Sequence, residues 1–201
     1  MSNVEAVFCR SAPWRGFARR VVLPWAVGGS TLEGAALEIG AGSGAMAEQM
    51  LETHPQLQVT ALDIDPAMTA TAQQRLRRFG DRAEALTADV SALPYPDQSF
   101  DLVFSWLMLH HTITWERALT EAHRVLRPGG TLLGYDLLDT APARFIHRVD
   151  RSEHRLFRSD EIRRALSTEF GTSRLQRTAV GGLVCRFAAT RIADAAPGFD
   201  E

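Results

Sequence analysis

The first residues able to do chemistry lie in the stretch LEIGAGSGA at positions 37–45. Gly40, Gly42 and Gly44 follow an apolar run at every second position, and Glu38 precedes the first glycine by two residues. Glycine lets the backbone turn sharply and lets a ligand approach it closely. A helix that starts directly afterwards points its free amides at the same place. The stretch therefore predicts a bend that binds a nucleotide-like ligand.

Charge discriminates between two ligands that use such a bend, NAD(P) and S-adenosylmethionine. Glu38 lies where a pyrophosphate would dock, and an anion there repels a diphosphate but attracts an ammonium group. Asp63 ends the second predicted strand, where a carboxylate can accept hydrogen bonds from both hydroxyls of a ribose. Asp89 follows the third strand, where it can accept from the exocyclic amine of adenine, beside the backbone N–H and apolar face of Val90. Three acids at successive strand ends favour S-adenosylmethionine.

Histidines and a tyrosine–aspartate pair follow the fourth and fifth predicted strands. WLMLHHT (106–112) places His110 and His111 just past strand four, close to where a transferable methyl group would point. Either histidine could take a proton from a phenol, a hydroxyl or an amine, although both could instead only shape the loop. Tyr135 and Asp136 end the fifth strand and form a further candidate pair for the same pocket. We therefore predict His110 and His111 as the catalytic residues.

An alternation of strands and helices positions these side chains. Apolar runs predict five parallel strands, at 35–39, 57–64, 84–88, 99–106 and 130–138. Helical patterns lie between or after them, at 45–54, 65–79, 114–126 and 159–170. Two further strand-like runs are separated only by Gly181 and Gly182, which indicates a hairpin whose last strand is antiparallel. The prediction is an α/β fold with a doubly wound, mostly parallel, seven-stranded Rossmann-like sheet.

Composition narrows the possible functions. The 201 residues carry a net charge of −2, which gives no global reason to expect nucleic acid or a membrane as partner. All 22 basic residues are arginine, so a Schiff-base lysine and a Tyr-x-x-x-Lys dehydrogenase site are excluded. Cys9 and Cys185 lack C-x-x-C spacing, so no metal site is predicted. No apolar run approaches the about 18 residues of a membrane span, and we expect a cytoplasmic location.

Three motifs together resemble the class I S-adenosylmethionine-dependent methyltransferases. The short group of that family carries LxIGxGxG, ADxxxLPFxDxSFD and LRPGG, which stand here as LEIGAGSG (37–44), ADVSALPYPDQSFD (88–101) and HRVLRPGGTLL (123–133). The resemblance covers about residues 35–138 and is weaker outside them. It implies that S-adenosylmethionine is the cofactor and that a methyl group moves by in-line displacement to a small-molecule acceptor.

The same resemblance implies a role for each cofactor-binding residue. Glu38, Gly40 and Gly42 would surround the methionine moiety, and Asp63 would bind the ribose. Ile64, Asp89 and Val90 would surround adenine, and the end of strand four would face the sulfonium. The complete predicted cofactor site is Glu38, Gly40, Ala41, Gly42, Gly44, Asp63, Ile64, Asp89, Val90, Ser105 and Trp106.

The whole chain is predicted to be one methyltransferase domain. Its parts are a helical segment over the active site (1–30), a cofactor-binding core (31–138), an acceptor-side segment with the hairpin (139–192) and a frayed tail (193–201). The segments 11–25 and 141–157 are rich in arginine and aromatic residues, which suggests an aromatic or anionic acceptor. The alternative is that these arginines are solvated and the aromatics belong to the core. We expect a monomer or homodimer without nucleic acid or membrane partners.

Two other functions remain open at this point. An NAD(P)-dependent oxidoreductase would use the glycines and Asp63, but it leaves Glu38, Asp89 and the LRPGG run unexplained. A non-catalytic S-adenosylmethionine-binding protein would keep the cofactor pocket and transfer nothing.

Overall fold

The computed structural model describes residues 18–150, 153–177 and 182–192. Most of the predicted N-terminal segment, Cys9, the first glycine of the predicted hairpin turn and the predicted tail lie outside these ranges. The described strands are β1 Gly34–Ile39, β2 Leu57–Asp63, β3 Ala83–Thr87, β4 Phe100–Trp106, β5 Leu126–Leu137, β6 Gly171–Arg177 and β7 Val184–Arg191. The described α-helices are α1 Leu23–Val27, α2 Ala45–Thr53, α3 Pro66–Leu76, α4 Trp115–Val125, α5 Ala141–Asp150 and α6 Ser159–Phe170.

The strands form one seven-stranded sheet in the order β3-β2-β1-β4-β5-β7-β6. β1 pairs in parallel with β2 and β4, so the winding direction reverses at β1. β7 is antiparallel to β5 on one side and to β6 on the other. The predicted doubly wound sheet with one reversed strand is therefore confirmed, and its crevice lies beyond the carboxyl ends of β1 and β4.

The described elements differ most from the predicted ones in three places. β5 begins at Leu126 rather than at residue 130, because the LRPGG run is already extended. The helix predicted over 65–79 ends at Leu76 and continues as a 3₁₀-helix, Arg77–Arg82, in which Gly80 has a φ of 57°. α5 was not predicted as a helix, although its ten residues are amphipathic.

Alternation along the strands distributes side chains between two buried faces. One face packs against α4 and α6 and includes Leu37, Ile39 and Val103. The other packs against α1, α2 and α3 and includes Ala36 and Phe104. Because Glu38 pairs with Phe104 in register, its side chain belongs to this second face. The residues that end β4 are likewise divided between the two faces.

Candidate active site

The three positions of the bend require glycine for different structural reasons. All three have left-handed backbone, with φ values of 66°, 53° and 71° for Gly40, Gly42 and Gly44. A Cβ atom on Gly40 would lie 2.7 Å from the Met108 side chain, and one on Gly44 would lie 3.0 Å from the Ala72 side chain. A Cβ on Gly42 would meet no atom within 4 Å. Packing explains Gly40 and Gly44, whereas Gly42 faces the open space where a ligand can approach.

Asp63 ties the bend to the end of β2. Its Oδ2 atom accepts a hydrogen bond from the Gly42 N–H at 2.7 Å, and its Oδ1 atom accepts one from the Asp65 N–H at 2.9 Å. Each carboxylate oxygen can accept a second hydrogen bond, so ribose hydroxyls could still bind. Ile64, the next residue, leaves 68% of its large apolar side chain exposed. An adenine ring placed against Ile64 would cover that surface.

Asp89 follows β3 and forms a turn. Its Oδ1 atom accepts hydrogen bonds from the Ser91 N–H at 2.8 Å and from the Ser91 hydroxyl at 2.7 Å. Both bonds hold the pKa of the Asp89 carboxyl below its ordinary value. Val90 is buried, at 6% exposure, in the core that packs against α4. Asp89 is thus an exposed, ionised acceptor at the crevice, and Val90 contributes mainly its backbone there.

Glu38 is a buried carboxyl beside the bend. Only 1% of the residue is exposed, and burial raises the pKa of its carboxyl from 4.5 to about 8, although a hydrogen bond from the Ala47 backbone acts in the opposite direction. Its Oε2 atom is buried and has no hydrogen-bond partner among the described residues. A buried acceptor without a partner is costly, and an ammonium group would satisfy it.

Ser105 and Trp106 end β4 but point to opposite faces of the sheet. Both are buried, and the Ser105 Oγ and Trp106 Nε1 atoms have no hydrogen-bond partner in the described part of the chain. Trp106 shares the face of Glu38 and stacks on Phe104 and Tyr135, with ring centroids 5.3 and 5.6 Å apart. Of these two residues, Trp106 is therefore the one that can line the side of the crevice on which Glu38 lies.

The chain leaves β4 in a sharp turn. Leu107 has a φ of 57°, which residues other than glycine rarely adopt, and its N–H donates to the Tyr135 carbonyl at 2.8 Å. The turn leads into a 3₁₀-helix, Leu109–His111. Since Met108 packs on Gly40, this loop closes against the glycine bend. Strained backbone of this kind is often retained at functional sites.

His110 and Asp136 form a buried hydrogen-bonded pair at the ends of β4 and β5. The His110 Nδ1 atom contacts the Asp136 carboxylate, and the two residues are 1% and 0% exposed. The Asp136 carboxylate also accepts the Leu109 N–H at 2.7 Å and the Leu137 N–H at 2.6 Å. Asp136 is thus fixed by the backbone and can fix His110 in turn.

The other candidates on this side are arranged differently. His111 is half-buried, and its Nδ1 atom lies 3.4 Å from the Glu153 carbonyl oxygen. Tyr135 stacks on Trp106 on the face opposite to that of Asp136. The adjacent pair Tyr135–Asp136 therefore does not line one pocket wall, and Asp136 pairs with His110 instead.

Comparisons with known proteins identify the family of the chain. A family model described as a methyltransferase domain matches residues 37–134. A malonyl-[acyl-carrier protein] O-methyltransferase of Geobacter sulfurreducens is 34% identical over 142 residues, covering 65% of this chain and 53% of that protein. A demethylmenaquinone methyltransferase of Tropheryma whipplei is 32% identical over 145 residues, covering 72% and 56% respectively. The chain belongs to the class I S-adenosylmethionine-dependent methyltransferases.

The similarity to known proteins is limited in the length that it covers and, for the solved structures, in sequence identity. The methyltransferase chain spans about half the length of the curated relatives that it matches. A chain of the complex between the Haloferax volcanii Trm112 methyltransferase activator and a methyltransferase superposes with a TM-score of 0.75. That superposition covers 96% of this chain and 99% of the other at 16% identity, so it supports the fold alone.

The crevice of this methyltransferase fits the cofactor of its family. The Glu38 Oε2 atom that lacks a partner, the open space at Gly42 and the exposed Ile64 side chain suit an amino group, a close backbone contact and a flat ring, respectively. Within the described ranges, no three His, Cys, Asp or Glu side chains are grouped as metal ligands. Among the same residues, no helix has both the length and the apolar character needed to cross a bilayer.

Two histidines of this methyltransferase were missed by the sequence prediction. His147 on α5 and His154 lie near the His110–Asp136 pair, with the His147 ring centroid 5.0 Å from that of His110. The one sequence signal was their number, since five of the six histidines follow strands four and five. Periodicity could not have placed them together, because their contacts join segments that are far apart in the chain.

Proposed function

We propose that this chain transfers a methyl group from S-adenosylmethionine to a small acceptor that arrives protonated, and that His110 is the general base. The observation that carries the proposal is the buried His110–Asp136 pair next to the glycine bend. S-adenosylmethionine, when bound, supplies a methyl group on a positively charged sulfur. Glu38 would hold its ammonium group, Asp63 its ribose, and Ile64 with Asp89 its adenine.

Asp136 prepares His110 for proton transfer. Because the carboxylate engages Nδ1, the ring nitrogen left for the acceptor is Nε2, and the imidazolium formed on proton uptake is stabilised by the adjacent charge. The two backbone amides on Asp136 keep that carboxylate in place. A positioned general base typically accelerates such a reaction about 10²- to 10⁴-fold. The chain's further tasks are to align the acceptor for in-line displacement and to exclude water.

The pair favours one class of acceptor over another. A carboxylate is already ionised at neutral pH and needs no base, whereas a phenol or a hydroquinone must lose a proton. Of the two relatives described above, one is named for malonyl-[acyl-carrier protein] and the other for demethylmenaquinone, a quinone whose reduced form carries phenolic hydroxyls. A buried His110–Asp136 pair can take up the proton that a phenol or a hydroquinone must lose. We therefore propose a phenolic or hydroquinone-like acceptor.

Charge on the acceptor side supports a neutral acceptor rather than an anionic one. Arg144 contacts Asp139 at 2.6 Å, Arg155 contacts Glu116 at 2.6 Å, and Arg158 contacts Asp160 at 3.2 Å. Arg144 and Arg155, which lie in the segment that suggested an anionic group in the sequence, are thus paired with carboxylates. Phe145, 65% exposed, and Ile113, 50% exposed, add apolar surface to the same side.

Methyl transfer to matched phenols and carboxylic acids tests the proposal. The wild-type chain should methylate phenolic hydroxyls, and His110→Ala should lower that rate about 10²- to 10⁴-fold while donor binding is unchanged. His54→Ala is the matched control, because the His54 ring hydrogen-bonds with Thr53 and Met50 at the end of α2, away from the histidine pair after β4. Transfer to carboxylic acids alone, or a His110→Ala variant as fast as wild type, would contradict the proposal.

A further inference from the structure

Four histidines from three parts of the chain form a cluster on the acceptor side. The ring centroids of His110 and His111 are 4.0 Å apart, those of His110 and His147 are 5.0 Å apart, and those of His147 and His154 are 4.2 Å apart. His110 and His111 come from the loop after β4, His147 from α5, and His154 from the segment after it. This histidine cluster connects His110, the proposed base, with α5 and with the segment that follows α5.

α5 contributes His147 to the histidine cluster. Among the α5 side chains that the structure describes, only Ala143 and His147 are buried, at 0% and 1% exposure. The two residues are four apart and therefore lie on the same face of the helix. Arg144, Phe145 and Arg148 are exposed. Among the described α5 side chains, His147 is thus the long one that packs against the rest of the protein.

The His110 ring is held from three directions. Asp136 binds its Nδ1 atom, the His111 ring lies at 41° to it, and the His147 ring lies at 55° to it. The hydrogen bond fixes one nitrogen but permits the ring to swing about that contact. Ring packing from His147 limits this swing and so determines where the Nε2 atom points. A displacement of about 1 Å in a catalytic group can cost about 100-fold in rate.

We infer that His147 is a positioning residue for the His110 base, acting by the packing of its ring. The inference rests on the proposed function, because it assigns His147 a role in the same proton transfer. His147 does not need to contact the acceptor or carry a charge for this role. When α5 lies against the loop after β4, the His147 ring holds the His110 ring in the orientation that proton transfer requires.

Kinetics of two His147 variants separate ring packing from other roles. His147→Ala removes the ring and should lower kcat for a phenolic acceptor about 10- to 100-fold, with KM and donor affinity little changed. His147→Phe keeps a flat ring of similar size and should retain most of the wild-type kcat. His54→Ala should leave all three quantities unchanged. Equal losses in His147→Ala and His147→Phe would overturn the role of packing.

NMR spectra recorded without an acceptor test the role of His147 separately from the proposed function. In the full-length wild-type chain, the proton on His110 Nδ1 should give a low-field NMR signal, which Asp136→Asn removes and so identifies. His147→Ala should broaden that signal by faster exchange with water, and His147→Phe should retain it. If these changes occur while wild type methylates no acceptor, the proposed function fails and the positioning role stands. If His147→Ala changes neither the signal nor kcat, the positioning role is wrong.

Discussion

The donor half and the acceptor half of the crevice are built in different ways. On the donor side, backbone groups connect the strand ends directly. The Gly42 N–H binds Asp63 at 2.7 Å, and the Ala88 N–H binds the Asp63 carbonyl at 3.0 Å. On the acceptor side, backbone groups hold Asp136, whose carboxylate accepts the Leu109 N–H at 2.7 Å, but the groups around His110 are side chains, those of Asp136 and of the histidine cluster.

This difference indicates which half can change. A donor site made from backbone amides and strand-end acids depends on the sheet itself, so its geometry is retained as long as the fold is. An acceptor site made from side chains on short segments can be altered by single substitutions without disturbing the sheet. The acceptor half is therefore where the choice of substrate and the chemistry of proton transfer are determined.

The largest expected effect comes from Asp136→Asn, which breaks the acceptor half alone. An amide in place of the carboxylate no longer stabilises the imidazolium and can favour the wrong tautomer of His110, so transfer to a phenolic acceptor should fall about 10²- to 10⁴-fold. Donor affinity, measured by titration calorimetry, should stay within twofold of wild type. A parallel loss of donor affinity would mean that the two halves are not separable.

How much the sequence could predict follows the same division. The bend, Asp63 and the succession of strands and helices along the chain were predictable, because each depends on local periodicity and on residues at strand ends. His110 and Asp136 were both candidates, but only the pairing of β4 with β5 shows that their side chains meet. His147 could not be found, because its ring contacts residues from distant segments of the chain.

Glu38 should make donor binding depend on pH. Its carboxyl has a pKa of about 8 in the folded chain against 4.5 for an ordinary glutamate, so the folded chain without donor binds an extra proton between those values. Stability should therefore fall as pH rises through this window. An ammonium ligand favours the ionised carboxylate, so binding releases the proton and donor affinity should rise toward pH 8.

Glu38→Gln should flatten both pH dependences. The amide cannot ionise, and losing a charge-assisted hydrogen bond should weaken donor affinity about 10- to 100-fold at pH 8. Calorimetric titrations between about pH 5.5 and 8.5 measure the pH dependence of donor affinity, and urea unfolding over the same range measures that of stability. A variant that retains the wild-type slope of affinity with pH would show that Glu38 does not bind the ammonium group.

Two glycines of the bend should respond differently to a methyl group. Gly40→Ala and Gly42→Ala share the strain of left-handed backbone, but only the first places a Cβ 2.7 Å from Met108. Gly40→Ala should therefore lower the free energy of unfolding by about 1–3 kcal/mol more than Gly42→Ala does. Gly42→Ala should chiefly weaken donor binding. Equal losses of stability in urea would remove the distinction between a packing glycine and a ligand-facing one.

The smallest expected effect isolates one contact in the donor half. Ile64 is 68% exposed, so Ile64→Ser should leave the free energy of unfolding within about 0.5 kcal/mol of wild type. If adenine packs on this side chain, the same change should weaken donor affinity about three- to tenfold, because apolar contact area is lost. Ile192→Ser is the matched control, since Ile192 is 57% exposed at the end of β7 and outside the crevice. Equal donor affinities of the two variants would place adenine elsewhere, and the donor half would then be defined by its backbone and its acids alone.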